Sequence, residues 1–495
     1  MINSLPPGSL LILGGILIPF LPGSNRQIWM LILLSISAFS LFEGFGTHLS
    51  LNLMNYEFII WKTDSLTMPF SIVFHIAALL NILYGWHEDD WKQHTSAFTY
   101  AGAAIAALHA GDFLTLFFWW ELTVLTSVFL ILASNTTKST NAAIRYLIIQ
   151  FTSGALLIAG TAYLIVENGH APLEKLFLDN PAAWLIFFAF GIKAAFPLLN
   201  GWLQDSYPEA TVIGTVALSA FTTKLAIYAL ARVFPGTEYL IWIGVVMTAF
   251  PVFFAVIEND LRRVLSYSLN NQLGFMVVAV GVGTEMAING AVAHAFVHII
   301  YKSLLFMSMG AVLFRVGTIK ASELGGLYKY MPITAICCII GAMSISAFPL
   351  FSGFVAKSLI MVGAAKEGYI IIYMILLFAS AGVLEHSGIK IPYFAFFGHD
   401  SGLKAKEAPK GMLVAMVLAA ILCIFIGIFP NYLFSLLPYK VDYNVYTSSH
   451  VVGQLQLLIF AILAFIFLIR FKLYPPEIPS TVLNFDWLYR VLLLR

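Results

Sequence analysis

Seven side chains of this 495-residue chain combine acid–base chemistry with almost wholly apolar surroundings: Glu121, Lys193, Lys224, His294, His298, Lys302 and Lys357. Glu121 sits in Phe117-Phe118-Trp119-Trp120-Glu121-Leu122-Thr123, far from any turn signal. Lys224 follows Phe221-Thr222-Thr223 near the middle of its apolar run. His294, His298 and Lys302 are spaced i, i+4, i+8, which on an α-helix drifts about 40° per step and lines one stripe about 12 Å long. Proton transfer is the chemistry such a set suits. Histidine changes charge near neutrality without help. Lysine needs help: burial disfavours its ammonium and an approaching carboxylate favours it, so moving Glu121 toward or away from Lys193 would switch the lysine between holding and releasing a proton.

The elements that must carry these residues are membrane helices. The chain is 60% hydrophobic and 10% charged, against about 25% charged residues in an ordinary soluble protein. Runs of about 20 apolar residues recur along its whole length, each long enough to cross a hydrocarbon core about 30 Å thick. The fold class is therefore an all-α polytopic membrane protein. The formal charge of +1 gives no basic face for nucleic acid. No linker sets off a soluble domain, and the first apolar run reads as a retained helix because no basic region or small-residue cleavage site precedes it. Cys337, Cys338 and Cys423 lack metal-ligand spacing and read as small packed residues. No cofactor is expected, and the many aromatic residues are bilayer-facing or interfacial.

Candidate helices cover residues 8–22, 28–43, 66–85, 97–110, 113–134, 142–165, 182–203, 211–233, 238–256, 264–283, 287–314, 333–363, 369–389, 411–432 and 451–471. With the N-terminus outside, the inside loops and C-tail carry 17 lysines and arginines and the outside segments carry 5. That bias sets the orientation, N-terminus out and C-terminus in.

The chain contains an internal echo. Ala195-Phe196-Pro197-Leu198-Leu199-Asn200-Gly201-Trp202 is matched by Ala347-Phe348-Pro349-Leu350-Phe351-Ser352-Gly353-Phe354. Each copy places proline in the middle of an apolar span, where it removes a backbone bond and clashes with the preceding turn. Both helices should break there, and paired broken helices point to an ion site. Lys193 precedes the first break by one turn, and Lys357 follows the second by two.

A charge at the bilayer centre costs between about 3 and 10 or more kcal/mol, so each must face a partner or water. Lysines near helix ends reach the interface, but Lys224 and Lys302 are too central for that. Other polar residues have plainer readings. His75, His109, Asp112 and Asp64 read as structural. Glu385-His386 reads as an interfacial helix end before Lys390 and Pro392. Glu258-Asn259-Asp260-Leu261-Arg262-Arg263 reads as an inside loop with local ion pairs, and Asp205 and Glu209 as capping or cation-access residues in another.

The segment Gly191-Ile192-Lys193-Ala194-Ala195-Phe196-Pro197-Leu198-Leu199-Asn200-Gly201-Trp202-Leu203-Gln204-Asp205 resembles the broken-helix signature of the antiporter-like subunits of respiratory complex I, membrane-bound hydrogenases and Mrp-type multisubunit sodium/proton antiporters. Further matches, in order over residues 95–365, are Trp120-Glu121, the Lys224 helix, Asp260-Leu261-Arg262-Arg263-Val264-Leu265-Ser266-Tyr267-Ser268, the His294/His298/Lys302 stripe and Phe351-Ser352-Gly353-Phe354-Val355-Ala356-Lys357. The resemblance implies about fourteen helices built on two inverted five-helix repeats, residues 97–233 and 238–390. Glu121 and Lys193 would be the coupled pair of the first half-channel, Lys224 the bridge toward the centre, His294, His298 and Lys302 the second relay and Lys357 the exit. Length and the lysine at 357 are most similar to the D subunit of Mrp antiporters. Asn200 and Gln204 depart from the histidine and proline common in the signature. A fifteenth helix, 451–471, and the tail ending Asn484-Phe485-Asp486-Trp487-Leu488-Tyr489-Arg490 go beyond the usual set and suggest a docking element.

The expectation is an inner-membrane, proton-translocating subunit of a multisubunit monovalent cation/proton antiporter, a transporter component without enzyme activity of its own. Residues 1–95 form N-terminal helices, 96–390 the translocating core and 391–495 the C-terminal helices and tail. Its partners would be other integral-membrane subunits, protons, Na+ or another monovalent cation and the lipid bilayer. The alternatives are a proton-pumping subunit of an NADH:quinone oxidoreductase or hydrogenase, and a stand-alone solute transporter.

Overall fold

The computed structural model describes residues 6–43, 45–53 and 56–474. The tail around Asn484, with Arg490 and Arg495 of the orientation count, lies outside them. The helices in chain order are α1 Ser9–Gly15, α2 Asn25–Glu43, α3 Thr67–Tyr84, α4 Trp91–Leu108, α5 Phe113–Leu132, α6 Thr137–Asn168, α7 Pro181–Lys193, α8 Gly201–Ser206, α9 Val212–Ala220, α10 Thr222–Val233, α11 Glu238–Ile257, α12 Leu261–Val282, α13 Glu285–Val316, α14 Pro332–Ile345, α15 Ser352–Lys366, α16 Ile370–Val383, α17 Lys390–Pro392, α18 Lys410–Ile428, α19 Pro430–Phe434 and α20 Ser448–Arg470. Among the described residues nine spans are long and apolar enough to cross a bilayer, and shorter apolar helices accompany them. The helical, polytopic class stands.

Helix starts follow local chemistry. Asp112, Thr136, Asn180, Asp260 and Thr284 each accept a hydrogen bond from a backbone N–H in the first turn of the helix they open, satisfying donors that the helix itself leaves free. At the far ends Gly169, Gly283 and Gly317 take left-handed backbone angles, which glycine adopts without steric cost.

Both Phe-Pro-Leu segments break their helices in the same way. In the first, Phe196 N–H bonds Gly191 O at 2.9 Å and Ala195 N–H bonds Ile192 O at 3.1 Å; in the second, Phe348 N–H bonds Met343 O at 3.0 Å and Ala347 N–H bonds Ser344 O at 3.1 Å. This pair of bonds is the Schellman ending of a helix. Glycine usually fills the left-handed position in it, but here alanine does, with φ of 62° at Ala195 and 56° at Ala347.

Two further interruptions carry no proline signal at the breaking residue. The 211–233 run bends at Phe221, splitting α9 from α10. Tyr100 on α4 fills the gap: its hydroxyl takes the Thr222 N–H at 3.0 Å and pairs with Thr222 Oγ1 at 2.5 Å. The run expected to close at 389 instead continues through wide π-helical turns, Leu384–Ile389 and Tyr393–Phe397, around α17. Such turns leave the regular hydrogen-bond ladder and cluster at functional sites.

An antiparallel hairpin, β1 His48–Leu53 and β2 Tyr56–Lys62, was not expected from the sequence. It docks on the loop before α5, where Ile59 N–H donates to Asp112 Oδ2 at 2.7 Å and Gly111 N–H to Ile59 O at 2.9 Å.

The central member is α13, almost wholly enclosed by α3, α9, α12, α14, α15 and α18. Element order and detail recur across the chain. The 32-residue α6 follows an Asp-capped α5, and the 32-residue α13 follows an Asp-capped α12. Asp112 bridges to Pro172 and Asp260 to Lys320 at identical separation in sequence. Each copy then continues into a broken helix and an interrupted one.

Candidate functional site

Lys193 is the last residue of α7 and is fully buried. Its Nζ donates to Trp120 O at 2.6 Å and Thr123 Oγ1 at 3.0 Å, and stands 4.2 Å from the centre of the Trp120 ring. Trp120 is fixed in turn, since its Nε1 donates to Ser153 Oγ at 3.0 Å and that hydroxyl donates to Ala189 O at 2.7 Å. An ammonium held by a carbonyl, a hydroxyl and a π-face is stabilised by dipoles, with the Glu121 charge acting on it from a distance.

Glu121, one residue from that carbonyl, is half-buried rather than enclosed. Its Oε1 has no hydrogen-bond partner among the described residues, and none of the ion pairs among them joins it to Lys193. The carboxylate lies against Gly154 of α6, where any β-carbon would overlap it.

Lys224 stands at the head of α10, not mid-helix as its sequence surroundings suggested. Its Nζ donates to Ser219 O at 2.5 Å, a carbonyl released by the Phe221 interruption. Its helix packs against α13, which carries His294, His298 and Lys302.

The stripe on α13 is as spaced in sequence, with His294 and His298 rings 6.1 Å apart and all three residues buried. Sequence reasoning missed what meets it. Gln272 of α12 accepts from Tyr301 Oη at 3.1 Å and pairs with His294 Nε2 at 3.1 Å. Both ring nitrogens of His298 and the Nζ of Lys302 find no hydrogen-bond partner among the described residues. Groups like these cost about 1 to 3 kcal/mol each when left unpaired, and polar positions of this kind hold single waters where there is room. Lys357 is the better-anchored end. Its Nζ donates to Ile345 O at 2.9 Å and lies 5.1 Å from the Phe275 ring centre, beside a cavity of about 30 Å³ that His450 and Gln454 also line.

Several plainer expectations change. Lys390, counted as an inside-loop residue, is fully buried and donates to Val256 O at 2.5 Å and Glu258 O at 2.7 Å at the end of α11. The Glu258–Arg263 turn also reaches beyond itself: Arg263 meets Glu209 at 3.7 Å, and Arg262 Nη2 donates to Ala210 O at 2.8 Å. Asp205 holds Arg145 through two bonds, 2.6 and 3.0 Å, at the rim of a cleft of about 400 Å³ beside the first break. Both carboxylates suggested for cation access therefore already have arginine partners. Glu385-His386 is no helix end, and His386 is fully buried.

His75 and His109 sit in a hydrogen-bonded chain through Ser37, Ser71 and Thr63. Asp64, in the loop before α3, takes two bonds from Arg232 at 2.7 and 2.8 Å. Partial burial alone would raise its carboxyl, but the Arg232 bonds and charge, with bonds from Thr67, outweigh this and hold it down to about 2. Among the described residues no group of three His, Cys, Asp or Glu side chains is placed to hold a metal ion.

Residues 110–382 match a protein-family model described as NADH:quinone oxidoreductase/Mrp antiporter, transmembrane. The chain is 28% identical over 420 residues to hydrogenase-4 component B of Escherichia coli (strain K12), covering 75% of this chain and 62% of that one. It is 32% identical over 318 residues to the D subunit of the Na(+)/H(+) antiporter of Alkalihalophilus pseudofirmus, covering 59% of this chain and 63% of that one. It thus spans somewhat less than two thirds of either relative. Its fold is similar to that of a chain in the Mrp complex from Dietzia sp. DQ12-45-1b, with TM-score 0.83 at 23% identity, over 93% of this chain and 55% of that one.

Proposed function

Because the chain belongs to the NADH:quinone oxidoreductase/Mrp antiporter transmembrane family, we propose that it is the proton-translocating subunit of a multisubunit monovalent cation/proton antiporter, with Na+ the favoured cation. The single observation carrying the proton path is Lys193, whose ammonium rests on the carbonyl of Trp120 beside the Glu121 carboxylate without forming an ion pair. A lysine held by neutral dipoles can lose its proton without leaving a buried carboxylate unpaired, and a change in the Glu121 charge then biases which state it takes. In this reading Glu121 and Lys193 are the coupled pair, Lys224 hands on to the His294/His298/Lys302 stripe, and Lys357 is the exit.

The translocating core is residues 96–390, two inverted repeats, between N-terminal helices 1–95 and a C-terminal part 391–495. The site is a cell inner membrane, with the N-terminus outside and the C-terminus cytoplasmic, and the partners are other integral-membrane subunits. The test is Glu121→Ala and Lys193→Ala in vesicles that contain the whole complex. Each should abolish ion-driven proton movement; survival of transport in both variants would sink the relay.

The hydrogenase relative favours a second reading, in which the same path serves a redox-driven complex. Purifying the chain with its native partners separates the two. Co-purifying flavin or iron-sulfur absorbance supports the redox assembly, and its absence alongside cation-driven proton flux supports the antiporter.

A further inference from the structure

Each half of the molecule ends in an interrupted helix. In the first half the interruption at Phe221 carries Lys224, buried and attributed above to the relay. The corresponding helix of the second half, α16 with its π-helical continuation, is interrupted over Leu384–Ile389. In that interruption stands His386, fully buried.

Three observations set His386 apart from a packing histidine. Its Nδ1 pairs with Ser387 Oγ at 2.8 Å, and Ser387 Oγ donates onward to Ser268 Oγ on α12 at 2.8 Å. That direction makes Ser387 an acceptor from Nδ1–H and leaves the Nε2 lone pair open. Nε2 has no hydrogen-bond partner among the described residues, and neither does the Nζ of Lys302 on α13, a helix that packs, as the wide turn does, against both α12 and α14. The wide turn is seated on the second break: a β-carbon at Gly388 would overlap Ser346, which caps α14 one residue before Ala347.

We propose that His386 is a proton-carrying station of the second half, the counterpart of Lys224, exchanging protons with Lys302. In the forward step an N–H bond of the Lys302 ammonium breaks, its electron pair stays on nitrogen, and a proton reaches the Nε2 lone pair by way of intervening water; the products are a neutral amine and an imidazolium. The reverse step restores both. A branch at His386 takes the path from α13 toward the end of α11, where Lys390 is fixed, in addition to the route through Lys357. This rests on the proton-relay reading of the preceding subsection.

The experiment compares His386→Gln, His386→Ala and Lys193→Ala in the complete purified complex reconstituted in vesicles, reading ion-driven proton flux and subunit assembly. Glutamine keeps a donor for Ser387 but takes up no proton. The expected result is an assembled His386→Gln complex with flux reduced about tenfold or more, and partial recovery of flux in His386→Ala on adding millimolar imidazole. Should the glutamine variant fail to assemble, His386→Asn is judged by the same standard. Assembled variants that keep more than half of the flux overturn the proposal, as does a loss in His386→Ala that imidazole leaves untouched. Full flux in Lys193→Ala would instead remove the underlying relay reading, whatever His386 does.

Discussion

Lys357 donates from Nζ to the carbonyl oxygen of Ile345 at 2.9 Å, across the interruption that separates α14 from α15. In the first break the residue equivalent to Ile345 is Lys193, which turns away from its own half-helix to Trp120 O. The two breaks share a backbone and differ in where the lysine is rooted. One lysine is tied to another helix, and the other caps the half-helix it faces.

Replacing Lys357 with methionine removes that cap and leaves a helix-terminal carbonyl dry. The expected cost is about 1 to 3 kcal/mol, read as a lower melting temperature of the solubilised complex, together with loss of proton flux. Wild-type stability in Lys357→Met would show that Ile345 O has another donor.

Gly154→Ala tests the space that the Glu121 carboxylate occupies. An alanine in a helix interior is ordinarily worth up to about 1 kcal/mol over glycine, so the fold should hold while the displaced carboxylate should impair transport in the same direction as Glu121→Ala. Normal flux from Gly154→Ala would mean that the carboxylate works equally well elsewhere.

The Asp64 carboxyl is held down to about 2 by Arg232 after burial has pulled it the other way. A depressed carboxyl contributes stability that is complete above its unfolded value near 4 and is lost as pH falls toward the folded one. Asp64→Asn should therefore cost about 1 to 2 kcal/mol for this part-exposed pair at neutral pH. The gap in melting temperature between variant and wild type should close below pH 4. A gap that widens in acid would contradict the assignment.

At Ala347 the left-handed backbone angle reverses the usual rule for alanine. Ala347→Gly should be neutral or stabilising, because an L-residue pays about 1 to 2 kcal/mol in that region and glycine does not. The control Ala356→Gly, inside α15, should destabilise by about 1 kcal/mol. Melting temperatures of the two complexes should move in opposite directions or differ by at least that control effect.

Long apolar runs made most helices readable from the sequence, and proline in mid-run made both breaks readable. The Phe221 interruption was not, because nothing local causes it: the hydroxyl of Tyr100, 122 residues away, takes the Thr222 N–H. The π-helical stretch around His386 was hidden for a similar reason, since its seat is Ser346 on another helix. The hairpin did leave a signal. Leu49, Leu51 and Leu53 alternate with polar residues, the period of a strand, but the segment is short beside the helices that flank it. Among the site residues, cost and spacing singled out the seven ionisable groups, whereas Gln272 is an ordinary polar residue until Tyr301 and His294 are brought to it.

Alanine in the left-handed position of both breaks has one more effect. Glycine there would act as a swivel, free to pass between several backbone wells. Alanine is confined to the well in which the two Schellman bonds hold it, so each interruption is a stiffer joint than glycine would make. On the proton path proposed above, a backbone swivel at Ala195 or Ala347 is therefore not what opens one side and then the other; that task falls to side chains and the protons they carry.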